Sequence, residues 1–114
     1  LASWDRAVRT IQETNGVVTA VSDAEILDAK AVIDAAGVGC EPASAASVAG
    51  VKQLVARGVI GRDERVVAVL TGHVLKDPGA LLTYHQETTP PPARANRPVE
   101  IEADVREVAK VLKA

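Results

Sequence analysis

The chain has no methionine and no phenylalanine, and only one cysteine, one tryptophan and one tyrosine among its 114 residues. Methionine is missing even at position 1, where Leu1 stands. Translation begins with Met, which is normally trimmed only ahead of a small residue, so the sequence reads as a piece of a longer protein. A single cysteine, Cys40, excludes an internal disulfide and suits a reducing, cytoplasmic setting. No signal peptide is visible, and no apolar run approaches the length needed to cross a bilayer. A net charge of -2 gives no electrostatic case for nucleic acid or an anionic membrane. The length allows one domain at most, or part of one. With aromatics nearly absent, any core must be built from Ala, Val, Leu and Ile, which supply most of the 47% hydrophobic content.

Among the residues that are present, the most informative stretch is Val66 to Pro78, VVAVLTGHVLKDP. Val66 to Leu70 is an unbroken apolar run without alternation, and this predicts a strand buried on both faces. Thr71, Gly72, His73, Lys76 and Asp77 then follow together. In open α/β sheets, ligands lie just beyond the carboxyl ends of strands, and Thr71 is the first polar side chain past that end. Gly72 lets the backbone turn or approach a ligand closely.

In chain order, Ala2 to Asn15 reads as a helix with Ser3 as its cap and Trp4, Val8 and Ile11 on one face. Asn15-Gly16 closes it, and Val17 to Val21 reads as a short strand. Ser22 to Glu25 has capping-box spacing, opening a helix whose apolar side carries Ile26, Leu27, Ala31, Val32 and Ile33. Gly37 ends that helix, and a third strand is possible near Val38. Pro42 suits the first turn of a helix running from about Ala43 to Arg57, closed by Gly58. Its first half is nearly all small, and mid-helix Gly50 predicts close approach of a backbone or ligand. Gly79 to His85 is left open between a helical turn and a strand. Thr88 to Pro98, with Pro90, Pro91, Pro92 and Pro98, reads as an extended connection. Asp104 again has capping-box spacing, with Val105, Val108, Val111 and Leu112 along a last helix.

Two motifs go further than this pattern. Glu41-Pro42-Ala43-Ser44-Ala45-Ala46, followed by Leu70-Thr71-Gly72-His73-Val74-Leu75-Lys76-Asp77-Pro78, resembles threonine synthase, in particular the C-terminal third of the shorter, bacterial-type enzyme. The similarity runs from Ala2-Ser3-Trp4 through Pro78. At position 74 the family usually has Gly where this chain has Val74.

The resemblance implies an α/β fold, here part of an open, mostly parallel sheet with flanking helices, as a fragment of the tryptophan synthase β-subunit-like fold. It implies 1-88 as the C-terminal part of the large α/β domain, 89-98 as a Pro-rich connection and 99-114 as a C-terminal helix packing back on the domain. The activity implied is conversion of O-phosphohomoserine and water to L-threonine and phosphate with pyridoxal 5'-phosphate, in a cytoplasmic homodimer. The family's Schiff-base lysine motif is not recognisable here, and Lys76 does not belong to one. No catalytic residue is therefore expected in this segment, which alone should be inactive and should need the remainder of the enzyme chain. Thr71 matches the family's threonine beside the pyridine ring nitrogen, so it is the implied cofactor-binding residue. A hydroxyl there can donate to an unprotonated nitrogen, whereas a carboxylate would favour a protonated, more strongly electron-withdrawing ring.

Other candidates read more cheaply as structure. His73 reads as a turn hydrogen-bonder rather than an acid or base, and Glu41 as a helix cap rather than a site wall. Cys40 lacks an activating neighbour. Ser44 and Ser47 read as small packing residues, and Asp77 as a turn residue. His85 has no metal-ligand partner at helical spacing. A related threonine or serine dehydratase, or a non-catalytic α/β module binding a ligand or partner at the Thr71 turn, are the alternative readings.

Overall fold

The computed structural model describes residues 3–113. The start of the first helix at Ala2 therefore lies outside the described residues. Helix α1 covers Trp4–Glu13, α2 Asp23–Ala35, α3 Pro42–Ala56, α4 Pro78–Leu82 and α5 Val105–Val111. Thr83–Glu87 continues α4 as one π-helical turn.

Local chemistry explains where these helices begin and end. Ser22 accepts the Glu25 N–H, and the Glu25 carboxylate accepts the Ser22 N–H at 2.7 Å, completing the capping box of α2. Those hydrogen bonds hold the Glu25 carboxyl below its usual range. Gly37 and Gly58 end α2 and α3 with φ of 76° and 71°, a region costly for residues with a Cβ. Asn15 takes φ 51° behind α1, and Gly16 N–H reaches the Ile11 carbonyl at 2.7 Å. Ser3 stands at the N-cap of α1 but makes no side-chain capping bond.

The core lies between α2 and α3. Ala29 and Ile33 of α2 pack with Cys40 and with Ala45 and Ala49 of α3, and Val21, Ile26, Val48 and Leu70 close over them. Lys30 is buried in the same helix face, only 2% exposed. Its ammonium is satisfied by Asp34 Oδ2 at 2.7 Å and the Cys40 carbonyl at 2.8 Å, as a buried charge requires. Val32, expected inside, is 41% exposed, so the buried face of α2 is rotated towards Lys30.

The α/β expectation is corrected here: among the described residues there are no strands. A strand exists through a ladder to a neighbour, and β-propensity measures fit to a pleated, half-buried surface rather than a fixed backbone preference. Val17 to Val21, the stretch near Val38 and Val66 to Leu70 find no such neighbour. The run predicted to be buried on both faces is open, with Val67 at 88% and Val69 at 69% exposure.

Gly50 also differs from expectation. A Cβ built there would meet only Thr19 Cγ2, at 3.6 Å, an ordinary contact. The small face of α3 is buried without being crowded at that point.

The shape is open for this length. The radius of gyration is 17.3 Å, where about 13 Å is typical of a folded domain of this size. The accessible surface is 8966 Å², against roughly 6,000 Å² for a compact monomer of the same mass. α1 and α5 contain no buried residue. No helix among the described residues is long and apolar enough to cross a membrane.

Candidate functional site

The two sequence motifs meet in space. Pro42 fixes the first turn of α3, which places Ser44 on the side facing the chain after Leu70. Ser44 Oγ accepts the N–H of Thr71 at 3.0 Å and the N–H of Gly72 at 3.1 Å. The same oxygen lies 3.1 Å from Thr71 Oγ1. Ser44 is 6% exposed, while Thr71 is exposed beyond it. One buried hydroxyl thus pins both backbone N–H groups of the turn and touches the side chain that the sequence singles out.

Glu41 holds the turn from the other side. Its N–H donates to the Gly72 carbonyl at 3.0 Å. Its carboxylate pairs with the Lys76 ammonium at 2.7 Å. It occupies the N-cap position of α3 but makes no side-chain capping bond, so the capping expected of it is replaced by this ion pair. The Glu41 side chain also covers Gly72 closely: a Cβ on Gly72 would stand 1.9 Å from Glu41 Cδ. A side chain at position 72 would have to push the Glu41 carboxylate aside.

Val74 rests on a second glycine. Gly39 has φ 68°, and a Cβ there would come within 3.2 Å of Val74 Cβ. The missing side chain at Gly39 makes room for the valine, and the turn closes with both in place.

The remaining candidates behave as structure. His73 Nδ1 accepts the Leu75 N–H at 3.1 Å, and the Lys76 N–H reaches the His73 carbonyl at 3.0 Å, which winds the chain after Gly72. Asp77 adopts φ 55°, and its carboxylate accepts the Ala80 N–H at the start of α4. Ser47 donates back to the Ser44 carbonyl at 2.8 Å and stays within its own helix. Cys40 is fully buried, and burial pushes its thiol up, away from the reactive thiolate. His85 is engaged elsewhere, with its Nδ1 accepting the Asn96 N–H at 2.9 Å and its ring edge-on to Tyr84 at 4.9 Å. Among the described residues no group of three or more His, Cys, Asp and Glu side chains is arranged to hold a metal ion.

Ser44 is the residue that sequence reasoning undervalued. The available signal was a hydroxyl in the first turn of an otherwise Ala-rich helix. Buried hydroxyls need partners, and alanine would have packed as well there.

Chemically, the turn offers one exposed neutral hydroxyl, Thr71, on a backbone fixed by Ser44. The nearby Glu41 carboxylate is matched by Lys76. Such a hydroxyl can donate one hydrogen bond to a ligand or accept from it.

No family model matches the chain. Among curated proteins it is 51% identical over 85 residues to a threonine synthase of Methanosarcina acetivorans, covering 74% of this chain and 21% of that protein. In sequence the chain corresponds to a segment of threonine synthases. It is 39% identical over 109 residues to the threonine synthase of Methanocaldococcus jannaschii, covering 95% of this chain and 24% of that protein. It is 34% identical over 113 residues to threonine synthase 2, chloroplastic, of Arabidopsis thaliana, covering 97% of this chain and 22% of that protein. The chain spans between a fifth and a quarter of the length of these threonine synthases.

Proposed function

We propose that the chain is part of a threonine synthase that converts O-phosphohomoserine and water to L-threonine and phosphate, and that it forms one wall of a pyridoxal 5'-phosphate site. The observation that carries this reading is the convergence of the two motifs on one turn, with Ser44 holding the backbone beneath Thr71. The match to threonine synthases from two archaea and a plant supports the reaction assigned.

The residues fit the pyridine edge of that cofactor. When bound, pyridoxal phosphate supplies the electron sink that stabilises negative charge at the substrate's α-carbon. The work of this chain is to set the ring's electronics. Thr71 presents a neutral donor to an unprotonated ring nitrogen. Lys76 engages the Glu41 carboxylate, so that this acid does not compete for the nitrogen and raise its basicity. Ser44 keeps the hydroxyl in register by fixing the Thr71 and Gly72 N–H groups. No residue of this segment is assigned a catalytic proton transfer, and the lysine that binds the cofactor covalently is assigned to the rest of the enzyme. That remainder, and a second copy in a homodimer, are the proposed partners, with a cytoplasmic location. The open apolar surface supports such packing. Trp4, Val8 and Ile11 of α1 line a groove of about 380 Å³ with Val18, and Val67, Val69 and Leu75 stand free.

The test uses the full-length protein that carries this segment. It is expected to show the visible absorption of bound pyridoxal phosphate and to release phosphate from O-phosphohomoserine. Thr71→Val keeps the shape and removes the donor, so cofactor affinity and turnover should both fall, by a hydrogen bond worth about 0.5–1.5 kcal/mol net. Unchanged affinity together with an unchanged rate would remove Thr71 from the site. No cofactor absorption in the unaltered protein would remove the enzyme reading.

A further inference from the structure

Counting the hydrogens around Ser44 fixes the direction of a bond that distance alone leaves open. A serine hydroxyl has two acceptor lone pairs and one hydrogen to donate. Ser44 Oγ already receives two backbone hydrogens, from Thr71 at 3.0 Å and Gly72 at 3.1 Å. Both N–H groups can only donate, so both lone pairs are in use. The one hydrogen left on Ser44 has Thr71 Oγ1 within reach, at 3.1 Å. If the bond ran the other way, Ser44 Oγ would have to accept three hydrogens with two lone pairs, and its own hydrogen would be stranded in a site 6% exposed.

We infer that Ser44 is a positioning residue: it donates to Thr71 Oγ1, so the Thr71 hydrogen is not spent on Ser44 and stays available to a ligand. This rests on the proposed role of Thr71 beside the ring nitrogen. It goes further by making the direction of the Ser44–Thr71 bond a property of the scaffold, set before any cofactor arrives. Accepting the Ser44 hydrogen also polarises the Thr71 O–H, since chained hydrogen bonds strengthen one another.

The experiment is ¹⁵N NMR of the full-length enzyme loaded with pyridoxal phosphate labelled at the ring nitrogen, comparing the unaltered protein with Thr71→Val, Ser44→Ala and Ser44→Thr. The ring-nitrogen resonance in Ser44→Ala is expected to move towards its position in Thr71→Val, with cofactor affinity falling about two- to tenfold. Ser44→Thr retains the hydroxyl and should restore the resonance. A Thr71→Val shift with no shift in Ser44→Ala overturns the inference while leaving the role of Thr71 intact. No shift in Thr71→Val overturns the role of Thr71 and this inference with it. If Ser44→Ala does not fold, Ser44→Cys, close in shape and a far weaker hydrogen-bonding group, is judged by the same two outcomes.

Discussion

The Tyr84 phenol donates to Asp28 Oδ1 at 2.5 Å and so ties the π-helical turn to α2 across a long stretch of chain. Tyr84 is 6% exposed, and its pKa is pushed up to about 12, by burial first and by the Asp28 carboxylate second. A phenol with a raised pKa stabilises the fold while it stays protonated. The contribution is complete below its ordinary value near 10 and is lost as pH rises through about 12. Melting of the full-length enzyme should therefore lose temperature across that window. Tyr84→Phe should cost about 1.5–3 kcal/mol at neutral pH, because a carboxylate loses its donor, and should flatten this alkaline decline. An equal decline in both proteins would show that Tyr84 is not its source.

Gly72→Ala is expected to disturb the turn through Glu41 rather than through backbone strain. The atoms an added methyl would strike are Cγ, Cδ and Oε1 of Glu41, and that side chain is anchored by Lys76. Cofactor affinity should fall in Gly72→Ala. Glu41→Ala deletes every one of those atoms, so the double variant should recover part of the loss. A double variant no better than the single one would place the clash elsewhere.

Two glycines should respond to alanine with opposite signs. At Gly50 the added methyl meets only an ordinary contact with Thr19, so Gly50→Ala should stabilise by up to about 1 kcal/mol through helix propensity. At Gly39, φ 68° and the 3.2 Å approach to Val74 act together, and Gly39→Ala should destabilise by about 1–3 kcal/mol. Trimming Val74 to Ala should relieve the contact but not the backbone cost. Thermal melts of the four proteins decide both claims, and a lower melting temperature in Gly50→Ala would mean that its face is crowded in the full-length enzyme.

Residues 1–114 alone should neither melt cooperatively nor release phosphate from O-phosphohomoserine. The accessible surface of 8966 Å² is far above that of a compact chain of this mass, and α1 and α5 contain no fully buried residue. A soluble monomer with a sharp thermal transition would overturn the first expectation, and phosphate release would overturn the second.

Helix ends were legible because their chemistry is local. Ser22 with Glu25, Pro42, Gly37 and Gly58 each act within one turn, and each marks an end within a residue or two of where the structure has it. The strands were not, because a ladder depends on a neighbouring backbone that the sequence of Val66 to Leu70 does not itself provide. In the candidate site, the turn character of His73 and Asp77 followed from residue type. The meeting of Ser44 with Thr71 is a long-range contact between two segments, and no periodicity in either one encodes it. The Glu41–Lys76 pair escaped for the same reason: spacing placed Glu41 at a cap, but a charge partner across the turn took the carboxylate.

The pairing of α2 with α3 also divides the chain by how long it keeps its amide hydrogens. The buried side chains of these two helices supply nearly all of the core, and their backbone bonds open only when that core opens. The Thr71 and Gly72 amides gain protection from the same place, because their shared acceptor, Ser44, belongs to α3. Two amides in an irregular loop should thus exchange with deuterium more slowly than the exposure of that loop suggests. A ligand site built this way would be as durable as the helix beneath it, despite lying on an exposed turn.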